Sequence, residues 1–289
     1  PYGCVRRGEV LTEFGWVPIQ DFVDGTRVLS VRPDGMSRMS EATLVRERYA
    51  GRLVQYRTSR ATMEFTDGHR LPQVQTGRKD FTLRAYSDLP QSEAKIKSAA
   101  DGWLGEDFVF TLPQVETRTL KLNQPMSLSS EDFAILMGWY LSEGCTIERD
   151  RAFNIAQTKH RALLEEDLDR LGFTYSRQRT QVTITSPAWF EYLRQFGKSR
   201  DKFIPPELMM APERVLRLLF DRLMAGDGNW TSDRKDAGMY ASYSSRLRDQ
   251  VAEICLKLGY RVRTSQRSRL DRTTPESVSY THLRAHETG

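Results

Sequence analysis

Leu136–Gly144 reads LMGWYLSEG, and Phe220–Gly228 reads FDRLMAGDG. Each is an apolar run closed by an acidic residue and a glycine, Glu143-Gly144 in the first and Asp227-Gly228 in the second. The open carbonyls at a helix C-terminus repel carboxylates, so an acid there costs stability. Two such endings in one chain call for a reason. One is that two helices pack side by side and deliver both carboxylates to one point, where they hold a divalent cation. Oxygen ligands of this kind suit Mg²⁺, which keeps several waters and binds phosphate oxygens. The other is two core helices that each carry an accidental acid at a turn.

The surroundings favour the first. After Glu143, the helical segment HRALLEEDLDRLGF from His160 passes Leu171-Gly172 and runs into the alternating FTYSRQRT. After Asp227, SRLRDQVAEICLKLGY from Ser245 passes Leu258-Gly259 and runs into RVRTSQRSR. The interval from acid to glycine is similar in both, Glu143 to Gly172 and Asp227 to Gly259. Self-similarity of this order marks a duplicated unit of helix, strands, helix and strand.

The paired stretches resemble the two motifs of the LAGLIDADG (dodecapeptide) homing endonucleases. Leu136, Gly138, Ser142, Glu143 and Gly144 stand where that family has a leucine, a glycine, a small residue, an acid and a glycine. The second copy departs at Arg222, where a small glycine is usual, and at Gly226, in place of alanine. Close helix approach relies on small residues, so Arg222 must point away from the seam or alter the packing. The resemblance implies an α+β endonuclease domain that is a monomer with an internal pseudo-two-fold. It also implies sequence-specific cleavage of both strands of a DNA duplex, with Mg²⁺ on Glu143 and Asp227. Lys202-Phe203-Ile204-Pro205 reproduces the K-x-I-P setting between the motifs of intein-borne members. That makes Lys202 a third catalytic candidate, to stabilise charge or position water.

Composition sets bounds around this. A chain of 289 residues is long enough for two domains and a real core. Its 39% hydrophobic and 28% charged residues are those of a globular protein. A net charge of +5 with pI ≈ 9.1 suits a polyanionic partner. The three cysteines, Cys4, Cys145 and Cys255, form neither a CxxC pair nor an even framework. They speak against a disulfide scaffold or a zinc site and for a reducing cytoplasm. No apolar run reaches the ~18 residues of a membrane span, and no signal-peptide core opens the chain.

The first hundred residues read as β. Gly8–Thr12 and Arg27–Val31 alternate, and turn signals at Phe14-Gly15, Asp24-Gly25 and Pro33-Asp34-Gly35 divide them. Further strands are expected at Leu44–Arg48, Leu53–Arg57 and Ala61–Phe65. From Cys4 through VLTEFGWVPIQDFVDGTRVLSV to Phe65-Thr66-Asp67-Gly68-His69 the segment resembles the N-terminal part of a Hint domain, the all-β splicing fold of inteins. The resemblance makes Cys4 the first residue of the intein, with residues 1–3 a remnant of the host protein. The Cys4 thiolate would attack the Gly3 carbonyl, Thr66 would hold the tetrahedral oxyanion or the strained peptide, and His69 would protonate the departing amide nitrogen. Residues 4–112 form the splicing region in this view and 113–277 the endonuclease. Flanking host (extein) segments and double-stranded DNA are the implied partners.

Residues 80–128 read as the passage between the two modules, with Asp107–Leu112 as a strand. Its end is a helix start, with Ser129 as N-cap and Asp132 at the third position. Pro212 opens the second motif helix. DNA contacts are expected from strands, because a two-stranded ribbon fits the major groove. In extended chain Tyr175, Arg177, Arg179 and Gln181 share one face by period two, as do Arg261, Arg263, Arg267 and Arg269 in the second copy.

The first repeat continues through Thr183–Thr185 to a helix over Pro187–Phe196, whereas the second stops after about one strand. No penultimate His and terminal Asn follow, so a truncated, splicing-incompetent fragment is expected. From Val278 the chain resembles the translation of a sequencing-library adaptor, and Val278–Gly289, with its His282 and His286, is set aside from fold reasoning. The expectation is thus an intein fragment carrying an endonuclease. The alternatives are a free-standing LAGLIDADG endonuclease or maturase, or a degenerate DNA-binding module that no longer cuts.

Overall fold

The computed structural model describes residues 5–57, 62–74, 80–89, 95–97, 99–113, 124–231, 233, 236–271 and 274–285, without the side chains of 266–280 and 283–285. The chain divides into two units. One comprises Pro1–Leu104, Cys255–Arg263 and Arg284–Gly289, the other Gly105–Ile254 and Thr264–Leu283.

Up to Leu104 the first unit is built from strands and two single 3-10 turns. Glu9–Thr12 and Gly15–Pro18 form a hairpin, Gly15 taking φ 101 at its turn and Thr12 Oγ1 donating to Gly15 O at 2.8 Å. Arg27–Val31 pairs with Met36–Glu41 across Pro33-Asp34-Gly35, where Asp34 Oδ1 accepts from Met36 N at 3.0 Å. With Gly102–Trp103 added in parallel, these make a five-stranded sheet. Val5–Arg7, Thr62–Thr66 and Leu53–Arg57 form a second sheet, and Lys95–Ile96, Arg70–Val74 and Phe81–Ala85 a third. The expected strand at Leu44–Arg48 is absent, for those residues lie in irregular chain. A strand is found instead at Met36–Glu41, MSRMSE, whose weak apolar pattern hides a segment paired on both edges.

The second unit is α+β. Its helices are α1 (Ser130–Glu143), α2 (Arg161–Arg170), α3 (Pro187–Leu193), α4 (Pro206–Met209), α5 (Glu213–Asp227) and α6 (Ser245–Lys257), the last turn of α6 falling in the first unit's residue range. Ser129 caps α1, its Oγ accepting from Asp132 N at 3.1 Å. Phe133, Leu136, Met137, Trp139 and Tyr140 are all fully buried, so α1 is apolar around most of its girth. α5 buries one stripe, Val215, Leu216, Leu219, Phe220, Leu223 and Met224, behind the Pro212 N-cap. Val109–Thr111 pairs with Ser127–Ser129 directly before α1. That pairing ties residues expected in the first domain to the second, and the division falls after Leu104 rather than after residue 112.

Each helix–acid–glycine element leads into a four-stranded sheet. The first runs Gly144–Ile147, Ala152–Ala156, Gln181–Thr185, Ser176–Arg177, and the second Gly228–Trp230, Ala237–Ser242, Thr274–Ala285, Tyr260–Asp271. In chain order both read first, second, fourth, third. Thr274–Ala285 stands between Ala237–Ser242 and Tyr260–Asp271, a strand that the sequence reading does not expect in the second repeat. The segment set aside from Val278 thus lies mostly within a strand. Among the described residues, no helix is long and apolar enough to cross a membrane.

Candidate active site

α1 and α5 lie against each other along glycines. A Cβ on Gly138 would stand 2.6 Å from Arg222 Cβ and 2.9 Å from Leu219 O, and one on Gly226 would strike Ser142. Arg222, the residue out of pattern, therefore packs its stem on Gly138, while its guanidinium leaves the seam for α2. Nε and Nη2 donate to Asp167 at 2.6 and 2.9 Å. Asp167 also accepts from Trp139 Nε1 at 2.7 Å, so one buried carboxylate ties together α1, α2 and α5.

Neither acid is followed by a loop. Glu143 and Asp227 are the last helical residues, and a strand begins at the next glycine. Gly144 and Gly228 have ordinary extended backbone, with φ −97 and φ −101. Glycine is needed for space: a Cβ would stand 2.7 Å from Tyr140 O at Gly144 and 2.6 Å from Met224 Cα at Gly228. This helix-to-strand step fixes the direction of each carboxylate.

Burial raises the Glu143 carboxyl above its usual range. Asp227 is pushed up to about 7, first by the protein crowded around it and then by the Glu143 charge, with Lys202 opposing. As a residue Asp227 is exposed to solvent. Lys202 is 4% exposed and burial pushes its amine down to about 7, against partial support from Cys145 and Asp227. Nζ donates to Tyr140 O at 3.2 Å and Gly144 O at 2.9 Å and lies 3.6 Å from the centre of the Tyr140 ring.

Two groups that the sequence did not single out hold this lysine. Ser244 Oγ donates to Lys202 O at 2.7 Å. Gln250 of α6 brackets Ile204, accepting from its N–H at 2.7 Å and donating to its carbonyl at 2.9 Å. Both are polar residues near or on a helix some forty positions downstream, and no local pattern announces them.

Two repelling carboxylates at helix C-termini fit a hard divalent cation, which cancels both penalties. Among the described residues no three His, Cys, Asp or Glu side chains converge.

The strand faces differ from expectation. Tyr175–Gln181 is not one extended strand. Ser176–Arg177 turns back through Gln178 N–H to Gln181 O at 2.9 Å and pairs with Thr183 and Val182. Arg179 is exposed at the bend, and the four residues do not share a period-two face. Arg177 lies 3.2 Å from Glu165, and Tyr175 donates to Asp169 at 2.9 Å. Gln181 joins a polar row that the sequence reading missed: Asn154 Nδ2 donates to Gln181 Oε1 at 2.9 Å, and Gln181 Nε2 donates to Gln178 Oε1 at 2.8 Å. Thr183, opposite Asn154 in register, is on this face too, while Val182 and Ile184 are buried on the other. Alternation around two buried residues is the signal that could have found it. In the second copy Arg261 and Arg263 lie on the expected strand, Arg263 exposed, and the side chains of Arg267 and Arg269 lie outside the described residues.

Of the splicing candidates, Cys4 lies outside the described residues. Val5, the next residue, pairs with Phe65, the residue before Thr66. Thr66 is 5% exposed; His69 N–H donates to Thr66 O at 2.9 Å, and the His69 ring lies 4.8 Å from that of Phe65. His282 stands on a strand within 3.4 Å of Ser265 Oγ, and His286 is outside the described residues.

No family model matches the chain. Among curated proteins it is 24% identical, over 275 residues, to the ATP-dependent Clp protease proteolytic subunit of Chlamydomonas moewusii, a match covering 86% of this chain and 27% of that protein. It is also 24% identical, over 194 residues, to the replicative DNA helicase DnaB of Synechocystis sp., covering 57% of this chain and 22% of the other. The chain thus spans about a quarter of the length of the curated relatives it matches. Similar solved structures include I-DmoI in complex with DNA and Mn, at 14% identity and a TM-score of 0.36 over 53% of this chain and 89% of that one. Mesophilic variants of the homing endonuclease I-DmoI match at 12% identity and a TM-score of 0.36, over 53% and 84%. Full-length DUF199/WhiA from Thermatoga maritima matches at 9% identity and a TM-score of 0.38, over 55% and 52%.

Proposed function

We propose that the second unit cuts double-stranded DNA at a specific sequence, with Glu143 and Asp227 holding Mg²⁺ and Lys202 beside them. What supports this is the glycine-lined contact of α1 and α5, whose last residues are Glu143 and Asp227, with the buried Lys202 amine on the Gly144 carbonyl. The cation, when bound, would polarise a phosphate and lower the pKa of a water. The chain does the rest. Glu143 and Asp227 arrive from rigid helix ends. The Lys202 amine, held by two carbonyls and freed of competing water, can carry or release a proton at Nζ near neutral pH. Asn154, Gln178, Gln181 and Thr183 form a polar strand face of the kind that reads base edges, and exposed arginines such as Arg179 and Arg263 suit phosphates. The test is incubation with a randomised duplex library and Mg²⁺. Recovery of one long site cut on both strands is expected. Retention of a site without cutting would identify a DNA-binding module instead.

For the first unit we infer splicing chemistry at Cys4. Its support is the register that sets Val5 opposite Phe65, one residue from Thr66 and close in sequence to His69. The relatives add to it. Two relatives with different names each match over about a quarter of their length, as a module carried in unrelated hosts would. The Cys4 thiolate would attack the Gly3 carbonyl, breaking the Gly3–Cys4 amide and leaving a thioester, with His69 supplying the proton to the freed amine. Dithiothreitol should then release an upstream tag from wild type and not from Cys4→Ala. Release that persists in Cys4→Ala is ordinary proteolysis and overturns this.

A further inference from the structure

Strand Ala237–Ser242 runs antiparallel to Gly228–Trp230, with Tyr240 opposite Gly228, the residue after Asp227. Alternation along the strand buries Gly238, Tyr240 and Ser242. Tyr240 is 0% exposed, yet among the described residues its hydroxyl has no hydrogen-bond partner. A buried O–H without an acceptor is costly, and phenylalanine would fill the same space without that cost. Burial and the charges of both Asp227 and Glu143 bear on the phenol and hold it protonated, so towards those anions it is a donor.

The first copy lacks this group. There Gly144 pairs with Ile155, which is equally buried and has nothing to donate. The end of α1 has the Lys202 amine on its carbonyls instead. The α1 end thus has the Lys202 amine on its carbonyls, and the α5 end has Tyr240 across the strand pair from Gly228.

We propose that Tyr240 is a positioning residue of the carboxylate site, its hydroxyl donating to a water lodged beside the Asp227 carboxylate, and that it makes the two strand-cutting events unequal. This rests on the cleavage activity proposed above. A water there accepts from Tyr240, donates to Asp227, and fixes the rotamer with which that carboxylate meets its ligand. On the α1 side Lys202 is fixed directly, with no counterpart to this bridge.

Tyr240→Phe removes one oxygen. Calorimetric titration of the metal-free protein with Ca²⁺ should show affinity lowered threefold or more. On a supercoiled plasmid bearing the selected site, nicked circles should accumulate at least fivefold over wild type, one strand lagging. Unfolding should occur at the wild-type denaturant concentration or above, since the hydroxyl has no structural partner to lose. Wild-type Ca²⁺ affinity, the absence of nicked circles, or unfolding at lower denaturant each overturns the proposal. Asp227→Asn that still cuts both strands would overturn the cleavage activity itself, whatever Tyr240→Phe does.

Discussion

Replacing Lys202 with methionine isolates the cost of its charge. The folded amine is held at about 7 against an ordinary value of 10.5, chiefly because it is buried. Between those values the unfolded chain carries the additional proton, so stability falls as pH is lowered from 10.5 and levels off below the folded value. A descent from pH 9 to pH 6 crosses about two pH units of that window, which at ~1.4 kcal/mol per unit costs wild type roughly 3 kcal/mol. Lys202→Met has no group to titrate. It forfeits the bonds to Tyr140 O and Gly144 O, a loss of about 1–2 kcal/mol, but equally at both pH values. The variant should therefore gain on wild type by roughly 3 kcal/mol between pH 9 and pH 6. Urea unfolding of metal-free protein at pH 6, 7, 8 and 9 measures the difference. A difference that stays constant within about 1 kcal/mol would refute a buried, desolvated amine.

Two further perturbations probe the frame. Gly226→Ala in a free helix would gain ~1 kcal/mol, but here the new methyl strikes Ser142 and stands 3.2 Å from Glu143 Cγ. A loss of roughly 1–3 kcal/mol is expected, and a gain in urea unfolding would mean that the helices are not in contact at that point. Asp167→Ala strands the Arg222 guanidinium and the Trp139 N–H, and should cost about 3–5 kcal/mol. Asp167→Leu combined with Arg222→Met should recover most of that, and failure to recover would show that the pair is not what joins α2 to the seam.

The two motif helices, their caps and their acid–glycine ends were legible because each rests on local chemistry. Ser129 accepts from the N–H three residues on, and the apolar run and small residues of the seam follow in sequence. Arg222 was legible as an anomaly but not as a solution, because its partner Asp167 sits 55 residues away on another helix. The arginine-rich strands were misjudged in the first copy. RQRT contains neither Gly nor Pro, and a bend stabilised by Gln178 and Gln181 bonding each other leaves no breaker to see. Met36–Glu41 was missed because a strand paired on both edges need not be apolar on either face. The final strand is hidden for a different reason, since from Val278 the sequence resembles an adaptor translation. Tyr240 had no signal in sequence at all. What sets it apart is an absent partner, and absence is visible only once the neighbours are placed.

The central claim is that Glu143 and Asp227 together cut DNA, and cleavage by Glu143→Gln and Asp227→Asn on the selected duplex tests it most directly. Both changes keep shape and remove one negative charge. Each variant should bind the duplex within about threefold of wild type, or more tightly as repulsion of phosphate falls, and cut neither strand detectably with Mg²⁺. Cutting of both strands at the wild-type rate by either variant would contradict the account.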